Sequence, residues 1–418
     1  MTTRMDMSRA GSSSPPTRVL VVAAYYPPSS AAAAIRARNL VRNLQALGHR
    51  VHVITARSGA GETPPEARAL AWLDIEDVAQ RLLRRPGSGS NAVPGPPAVW
   101  QQKFRAVAAR VVVPDLRAPW IPVAVPPARR AALASDVVLS TGGASAHVVA
   151  RMVRGKRPWV ADINDLWWRN PHRRVGVLRE RIDRRTENAI LEGATALTVP
   201  NETLGDEVDR RTGRRATTVL TGFDPAEFQL DAPPPAPHRE VVFAGTLYAD
   251  FRLPLVLEAL RRGREERGWT PAMLRIAFFG TGAGHALAQA AERGVDEFIS
   301  GHTPIPRSEL LAKLIAADAL LFPLYPSDPF HLPMRFFDFV GAGRPFIAVG
   351  GDTAPAASMI RRHGLGVVCT SVTELVSAFD DITHGTRPPA LGPEARQPFE
   401  LASARPSLAT LLESIESR

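Results

Sequence analysis

The sequence predicts an α/β protein with two Rossmann-like domains, each a doubly wound parallel sheet, that face each other across a cleft. Three observations lead to this fold class. Short, nearly continuous apolar runs alternate with helical periodicities, as in strands that are buried on both faces of a sheet. The alternation stops at one proline-rich stretch and then resumes. The length of 418 residues exceeds what one hydrophobic core usually supports.

The first strand, helix and strand form the clearest unit of the N-terminal half. TRVLVVAAYY at 17–26 is rich in apolar residues, and RVHVITAR at 50–57 has a similar pattern. Between them, apolar residues at helical spacing predict a helix that ends at a glycine: Ile35, Leu40, Leu44, Leu47 and Gly48. This order predicts a βαβ unit with a right-handed crossover.

Further segments continue the alternation in the N-terminal half. Strands are predicted over 134–143, 157–165 and 194–201, and helices over 145–155 and 177–193. Because these elements alternate regularly, we expect them to belong to one parallel sheet with helices on both faces. The expected acceptor-binding domain spans 17–223, after a small, polar leader over 1–16.

A proline-rich linker is predicted over 224–240, because clustered prolines sustain neither a helix nor a central strand. The C-terminal domain follows over 241–393, with a segment over 394–418 that ends in a helix at 406–418. Its strands are predicted over 240–246, 274–282, 295–301 and 319–325, and its helices over 252–266, 284–293 and 308–318. Ligands of such sheets bind beyond the carboxyl ends of the strands.

Composition and charge narrow the classes of function. The chain has a single cysteine, Cys369, which excludes an internal disulfide, and we expect a cytoplasmic protein. No apolar run has the ~20 residues of a membrane-spanning helix, and the N-terminus lacks the apolar core of a signal peptide. Without zinc-finger spacing or basic runs interleaved with aromatic residues, we expect no nucleic-acid partner. The net charge of +10 instead suits phosphate-bearing small molecules.

The stretch VWQQKFRAVAARVVV, at 99–113, leaves a membrane contact open. Its Trp100, Phe104 and Val107 share one face of a basic amphipathic helix. Such a helix either packs on its own domain or lies on an anionic membrane surface. The second alternative would put the protein peripherally on the inner face of the cell membrane.

Four motifs occur in the order and domains of a known family. The opening strand, loop and helix of that family are similar to VLVVAAYYPPSSAAAAIRARNLVRNLQALGHRVHVIT. Its segment Pro-Trp-Val-x-Asp-x-Arg-Asp-x-Trp resembles RPWVADINDLWW. The family has an Asn-Gly-Phe-Asp hinge turn, which TGFDPAEF resembles. The family also has the pattern Leu-Pro-x-Lys-x-x-Glu-Tyr-x-Ala-x-Gly-x-Pro-Val-Ile-Ala, which LPMRFFDFVGAGRPFIAV resembles. Over roughly residues 17–375, the chain resembles the retaining, nucleotide-sugar-dependent glycosyltransferases of the GT-B fold, family-4 type.

The stretch HLPMRFFDFVGAGRPFIAVGG, at 331–351, predicts a short helix, a glycine stop and a buried strand. The helix begins near Pro333 and Met334, where free N–H groups suit a phosphate. Arg335 and Asp338 lie one turn apart on one face. The resemblance implies that Arg335 neutralises the donor diphosphate and that Asp338 accepts hydrogen bonds from the ribose hydroxyls. A simple ion pair between Arg335 and Asp338 is the alternative.

Other donor-side residues follow from the resemblance. The family has two phosphate-binding cations after a glycine that corresponds to Gly245. Thr246 and Phe251 stand at those two places in this sequence, and Arg252 is the nearest cation that could replace them. The GTGAG loop with Gly282 is expected to line the nucleotide pocket, or else to be a plain turn, and His302 falls where the family receives the base. Phe330 stands where the family often has a sugar-contacting glutamate, with Asp328 and His331 as nearby substitutes.

Acceptor-side residues are expected at strand ends of the first domain. Ser30 lies in a loop where the family usually has paired glycines, and Gly143 opens the loop that leads to His147. Asp162 and Asp165 are candidates for orienting an acceptor hydroxyl, with Asp165 counted among the catalytic residues together with Arg335 and Arg252.

The expected reaction moves a sugar from a nucleoside-diphosphate sugar to an acceptor hydroxyl, with retention implied by the resemblance. The donor is a substrate, so no cofactor is expected, and no metal site, because cations and a helix dipole stabilise the leaving diphosphate in this fold. The acceptor stays open between a lipid-linked glycan and a small molecule. Two other functions also stay open: a sugar-nucleotide epimerase or phosphorylase, and a non-catalytic protein that binds a nucleotide or partner.

Overall fold

The computed structural model describes residues 16–58, 61–74, 108, 111–168, 175–231, 233–234, 236–248, 251–325, 329–385 and 388–417. The predicted leader and most of the amphipathic stretch at 99–113 lie outside these residues. None of the described helices is long and apolar enough to cross a membrane.

The N-terminal sheet has seven parallel strands in the order β3-β2-β1-β4-β5-β6-β7. Its strands are β1 (Arg18–Ala23), β2 (Arg50–Ala56), β3 (Ala67–Leu70), β4 (Val137–Thr141), β5 (Trp159–Asp162), β6 (Ala196–Val199) and β7 (Thr217–Thr218). The predicted strands are confirmed, and the structure adds the short edge strands β3 and β7. The order reverses between β1 and β4, which creates the crevice in which doubly wound sheets bind ligands.

Helices cover both faces of this sheet. They are α1 (Ala32–Ala46), α2 (Ile121–Leu133), α3 (Ala144–Val153), α4 (Val177–Gly193) and α5 (Glu202–Thr212). The helices predicted after the first strand, over 145–155 and over 177–193 are confirmed as α1, α3 and α4. One apolar cluster fills each face of the sheet, and β1 contributes alternate side chains to the two, such as Leu20 and Val21.

The C-terminal sheet has six parallel strands in the order β10-β9-β8-β11-β12-β13. Its strands are β8 (Arg239–Ala244), β9 (Leu274–Phe279), β10 (Ile299–His302), β11 (Ala319–Leu324), β12 (Phe346–Gly350) and β13 (Gly366–Cys369). Its helices are α6 (Leu253–Arg267), α7 (Ala283–Glu292), α8 (Arg307–Ala316), α9 (Met334–Ala342), α10 (Pro355–Arg362) and α11 (Val372–His384). The predicted fold class, two Rossmann-like domains, is confirmed.

The chain returns to the N-terminal domain after the second sheet. Helix α12 (Pro393–Arg396) leads to helix α13 (Arg405–Glu416), whose apolar face joins the core cluster around β1. The hydroxyl of Thr17 donates to Glu416 over 2.5 Å, which ties the two ends of the described chain together. The C-terminal segment therefore packs on the first domain. Strand β8 already begins at Arg239, within the stretch predicted as linker.

Candidate functional site

Arg335 lies in the first turn of α9, at the carboxyl edge of the C-terminal sheet. Its Nη2 donates to the carbonyl oxygen of Thr246 over 3.2 Å, and its guanidinium carbon lies 5.4 Å from the ring centroid of Phe243. Its Nη1 is buried, with no hydrogen-bond partner among the described residues. The alternative of an ion pair with Asp338 is wrong for the described structure, because that carboxylate pairs elsewhere. Arg335 is thus a fixed cation with donor capacity to spare.

Gly245 makes room for this guanidinium. Its φ of +112° suits glycine, and a Cβ here would lie 2.9 Å from Cζ of Arg335. A Cβ at Gly280 would in turn lie 2.3 Å from the carbonyl oxygen of Gly245. The GTGAG loop is therefore rich in glycine partly because it packs closely on the loop after β8.

Two helices begin at this edge without a side-chain cap. Helix α9 follows Pro333, and helix α7 follows Gly282, which has a φ of +96°. Their first N–H groups and the positive ends of their dipoles suit an anion. Pro333 immediately precedes the helix instead of lying in its first turn, which corrects the prediction by one position. Met334 packs against the apolar cluster beneath α9.

Asp338 faces Arg307 from the next helix. Nη2 and Nη1 of Arg307 donate to the two carboxylate oxygens over 2.8 and 3.1 Å. Burial raises the pKa of the Asp338 carboxyl, while the hydrogen bonds and charge of Arg307 oppose that shift. Each carboxylate oxygen keeps a second lone pair, so Asp338 is still able to accept further hydrogen bonds.

Arg307 also connects the site to the other domain. Its Nη2 lies 2.9 Å from Glu227, in the 3-10 helix Pro225–Phe228 that follows the first domain. Glu227 in turn accepts a hydrogen bond of 2.7 Å from Arg38 of α1. These residues therefore form a chain of ion pairs, with alternating charges, that runs from Arg38 of α1 to Asp338. The sequence predicted Asp338 but not this chain, because its members are far apart in sequence.

Arg252 and His302 flank the edge where α6 begins and β10 ends. Arg252 is exposed, and its side chain forms neither a hydrogen bond nor an ion pair with any part of the chain that the structure describes. The His302 ring stacks on Phe279, with centroids 4.5 Å apart and planes 13° apart. This stack presents a flat aromatic surface near the two glycine loops.

Asp165 and His331 approach each other from opposite domains. Asp165 follows β5, and His331 precedes α9. Nδ1 of His331 lies 3.5 Å from Oδ1 of Asp165, and the two side chains are 41% and 56% exposed. Asp165 is therefore a carboxylate that is accessible from the cleft, as the sequence predicted for an acceptor-side group.

Phe330 has a structural role at the position where the family often has a glutamate. Its side chain packs against the apolar cluster of the N-terminal domain. Its carbonyl oxygen accepts a hydrogen bond of 2.9 Å from Nδ2 of Asn201, which also caps α5. The loop before α9 is thus attached to the first domain, and this explains the departure from the family pattern.

Asp162 is a scaffold residue, which corrects the expected acceptor contact. Arg36 donates to both carboxylate oxygens over 2.9 and 2.6 Å, from Nε and Nη2. The hydroxyls of Thr141 and Thr198 donate over 2.6 and 2.8 Å. All of these groups are buried, so the carboxylate is saturated and closed to an acceptor.

His147 is also closed to the cleft, which corrects a second expectation. The side chain is only 2% exposed, its Nδ1 lies 2.8 Å from Oγ of Ser140, and its ring stacks on Trp167. Burial lowers the pKa of His147 to about 4, against the opposing charges of Asp162 and Asp115. The ring is therefore neutral and part of the packing.

The loop after β4 receives a carboxylate from the chain itself. Gly143 is the N-cap of α3, with a φ of +135°, and a Cβ there would lie 3.2 Å from Oδ2 of Asp115. Asp115 accepts hydrogen bonds from N–H and the hydroxyl of Ser145, over 2.9 and 2.6 Å. The anion-binding end of α3 is thus filled. Ser30 is exposed in the loop before α1.

Glu187 fixes the loop that carries Asp165. It accepts hydrogen bonds from the backbone N–H groups of Trp167 and Trp168, over 2.7 and 3.0 Å, and one of 2.7 Å from Arg211. Burial raises the pKa of Glu187 to about 7, although these donors oppose the shift.

Among the described residues, no three His, Cys, Asp or Glu side chains are grouped to hold a metal ion.

Comparison with known families agrees with this architecture. Residues 33–227 match the family model described as Glycosyltransferase Family 4. These residues form a family 4 glycosyltransferase domain. Such domains belong to enzymes of sugar transfer, and the two domains of this chain together have the GT-B fold. No curated protein sequence matches it.

Solved structures resemble the chain over most of its length at low identity. A sucrose-phosphate synthase from Thermosynechococcus elongatus is 14% identical, with 96% of this chain and 100% of that chain covered and a TM-score of 0.62. An α,α-trehalose 6-phosphate synthase from Burkholderia multivorans is 14% identical, with 96% and 99% covered and a TM-score of 0.60. WaaG, a glycosyltransferase involved in lipopolysaccharide biosynthesis, is 15% identical, with 94% and 99% covered and a TM-score of 0.58. At this identity they share the fold.

Proposed function

We propose that the enzyme transfers a sugar from a nucleoside-diphosphate sugar to an acceptor hydroxyl. The observation that carries the proposal is Arg335. Its guanidinium is held over Gly245 by Thr246, and its buried Nη1 lacks a partner among the described residues. A buried N–H donor that lacks a partner is costly unless an anion arrives. The donor diphosphate is such an anion.

The leaving diphosphate is stabilised by charge that is already in position. It binds between Arg335 and the uncapped helix ends at Gly282 and Pro333, and the exposed Arg252, just before α6, supplies a further cation. As the bond from the anomeric carbon to the diphosphate oxygen breaks, the electron pair moves to the diphosphate. Fixed donors stabilise that charge without reorganisation, which is usually the largest catalytic contribution. This arrangement needs no metal ion.

The nucleoside is held by the two features that flank the diphosphate site. Asp338 accepts hydrogen bonds from the ribose diol, and Arg307 orients its carboxylate. The base lies against His302, whose exposed ring is backed by Phe279. Thr246, Met334 and the glycines of the two loops shape the space between.

The acceptor hydroxyl enters from the N-terminal domain. Asp165, accessible in the cleft and 3.5 Å from His331, orients it. Ser30 and Gly143 lie at the same edge. The family resemblance implies retention, and we assign this outcome to front-side departure instead of a covalent intermediate. The acceptor oxygen bonds to the anomeric carbon on the face that the diphosphate leaves, and its proton passes to the departing diphosphate oxygen.

The cellular role proposed is glycan, cell-surface polysaccharide or natural-product biosynthesis in the cytoplasm. The likeness in fold to WaaG, a glycosyltransferase involved in lipopolysaccharide biosynthesis, supports a polysaccharide role. The acceptor is a lipid-linked or small-molecule glycan. Peripheral contact with the inner membrane face through 99–113 belongs to the same proposal, because the sequence of this stretch predicts a basic amphipathic helix, which suits an anionic surface.

Thermal stabilisation by a panel of nucleotide sugars tests the proposal. A ligand that binds only the folded state raises the melting temperature, and we expect one nucleoside-diphosphate sugar to do so. Mass spectrometry of products made from that donor and an acceptor mixture then identifies the transfer. Stabilisation by no nucleotide would contradict the proposal. Conversion of the donor without any acceptor would favour an epimerase or a phosphorylase.

A further inference from the structure

Arg117 is a buried cation in the N-terminal domain that the proposed reaction leaves unused. Arg117 as a whole is only 8% exposed. Its guanidinium carbon lies 3.9 Å from the ring centroid of Tyr25 and 5.0 Å from that of Trp72. Trp72 is itself fixed by a hydrogen bond of 3.0 Å from its indole N–H to the carbonyl oxygen of Arg57. The guanidinium is therefore held by two aromatic rings.

The guanidinium of Arg117 has no anionic or hydrogen-bonding partner within the described part of the chain. Its Nη1 is fully buried and unpaired. The five N–H groups of an arginine are strong donors, and buried arginines are normally paired. Contacts with aromatic faces offset only part of the cost of removing such a charge from water.

The nearest carboxylate in sequence is already engaged. Asp115 binds Ser145 at the start of α3, and it also accepts a hydrogen bond of 2.9 Å from the backbone N–H of Arg117. This bond fixes the backbone of Arg117 but does not reach its guanidinium. The chain thus orients the cation without neutralising it.

The position of Arg117 is that of a ligand-binding group. Tyr25 follows β1, and Trp72 follows β3, so both lie at the carboxyl edge of the N-terminal sheet. Gly142, in the loop after β4, packs against Tyr25. Asp165 follows β5 at the same edge. Doubly wound sheets bind their ligands at this edge.

We infer that Arg117 is part of an anion-binding site for the acceptor, and that the acceptor carries a phosphate group. The inference rests on the proposed sugar transfer. The planar guanidinium binds two phosphate oxygens at once, and the rings of Tyr25 and Trp72 keep it in place for that contact. The phosphate belongs to a soluble sugar phosphate or to a lipid headgroup, and both supply the same oxyanion.

Binding experiments on the full chain test this site. Calorimetric titration with inorganic phosphate and glucose 6-phosphate is compared with titration with glucose. Vesicles of phosphatidylcholine with and without phosphatidic acid form the lipid arm. We expect phosphate-dependent binding in one arm, weakened roughly tenfold or more in Arg117→Met, because hydrogen bonds to a charged group are lost. Arg129→Met, which removes an exposed arginine of α2, should bind as the wild type does.

Stability without ligand separates this role from a purely structural one. Arg117→Met removes an uncompensated buried charge and keeps an apolar chain between the rings, so its melting temperature should equal or exceed that of the wild type. A marked fall in the melting temperature together with unchanged phosphate binding would indicate that Arg117 serves packing alone, and would overturn the inference. Should Arg117→Met fail to fold, Arg117→Lys keeps the charge but not the planar fork, and it should also weaken phosphate binding.

The donor site provides an independent reference. Stabilisation by the preferred nucleoside diphosphate should be unchanged in Arg117→Met. Absence of nucleotide binding in the wild type counts against the proposed function. Two other outcomes count against this inference alone, provided that nucleotide binding is intact. In one, the wild type does not bind phosphate. In the other, the wild type and Arg117→Met bind phosphate equally.

Discussion

The guanidinium carbon of Arg335 lies 2.9 Å from the point that a Cβ would occupy at Gly245. The two residues come from α9 and from the loop after β8, so the close approach depends on the fold of the whole domain. Because Gly245 has no side chain, the guanidinium reaches the carbonyl oxygen of Thr246 and leaves Nη1 for a ligand. This relationship makes Gly245 as important for the proposed donor site as the cation itself.

Gly245→Ala tests that relationship. The added methyl group displaces Arg335, and we expect affinity for the nucleoside diphosphate to fall roughly tenfold or more, as for a lost charged hydrogen bond. Isothermal titration calorimetry measures this loss. Gly268→Ala is the control, because Gly268 also has positive φ but nothing within 4 Å of its Cβ position. Both variants should lose about 1 kcal/mol of stability, but equal nucleotide affinity in the two would contradict the account.

Asp338→Asn tests ribose recognition. Its amide keeps the size of the side chain but removes the charge that accepts hydrogen bonds from a diol. We expect the wild type to bind a ribonucleotide roughly tenfold more tightly than the 2′-deoxynucleotide, and the variant to lose most of that preference. Competition binding with both nucleotides measures the ratio. An unchanged ratio would show that the ribose binds elsewhere.

Glu227→Gln tests the contact between domains. Glu227 accepts hydrogen bonds from Arg38 and Arg307, so its neutralisation weakens both pairs. We expect a loss of about 2 kcal/mol in the free energy of unfolding, since hydrogen bonds to charged groups contribute about 1.5–3 kcal/mol each. Urea unfolding measures it, with the exposed Glu266→Gln as the control. A loss no larger than that of the control would mean that the charge chain does not stabilise the domain contact.

His147 predicts a specific loss of stability in acid. Its pKa is about 4 in the folded protein and about 6.5 when the chain is unfolded, because burial disfavours the charged ring. Below the unfolded value the unfolded state binds the proton more readily, so stability is complete above pH 6.5 and is lost as the pH falls towards 4. The loss from this group approaches roughly 3 kcal/mol. Chemical denaturation as a function of pH measures it.

A His147→Gln variant isolates this contribution. Glu187 acts in the opposite direction, since its pKa is raised from 4.5 to about 7, and its contribution is present below 4.5 and lost as the pH rises through 7. The difference between wild type and His147→Gln cancels the effect of Glu187. That difference should change by roughly 3 kcal/mol between neutral and acid conditions. A constant difference would indicate that His147 binds a proton as readily in the folded protein as in the unfolded chain.

Much of the fold follows from local patterns, and the rest depends on contacts distant in sequence. Strands such as Val137–Thr141 are buried on both faces, so an apolar run identifies them. The edge strands Ala67–Leu70 and Thr217–Thr218 are short and partly exposed, and have no such pattern. Helix Ile121–Leu133 contains Pro126 and Pro127, which argue locally against a helix, but tertiary packing of its alanine face stabilises it.

The sequence predicts candidate site residues only where a motif contains them. Arg335 and Asp338 were identified from one stretch, whereas the partner of Asp338, Arg307, comes from another helix and has no local signal. Asp162 was misread because a carboxylate at a strand end looks the same in sequence whether it faces a ligand or, as here, Arg36. Arg117 was missed because only the structure reveals that it is buried without a partner.

The central claim is that Arg335 binds the diphosphate of the donor, and calorimetry tests it most directly. UDP, GDP, ADP, CDP and dTDP are each titrated, together with their nucleosides, into the wild type, Arg335→Met and Arg361→Met, the last an exposed arginine of the same domain. We predict that the wild type and Arg361→Met bind one diphosphate at least roughly tenfold more tightly than its nucleoside, and that Arg335→Met loses this margin. Retention of the full margin by folded Arg335→Met would contradict the account.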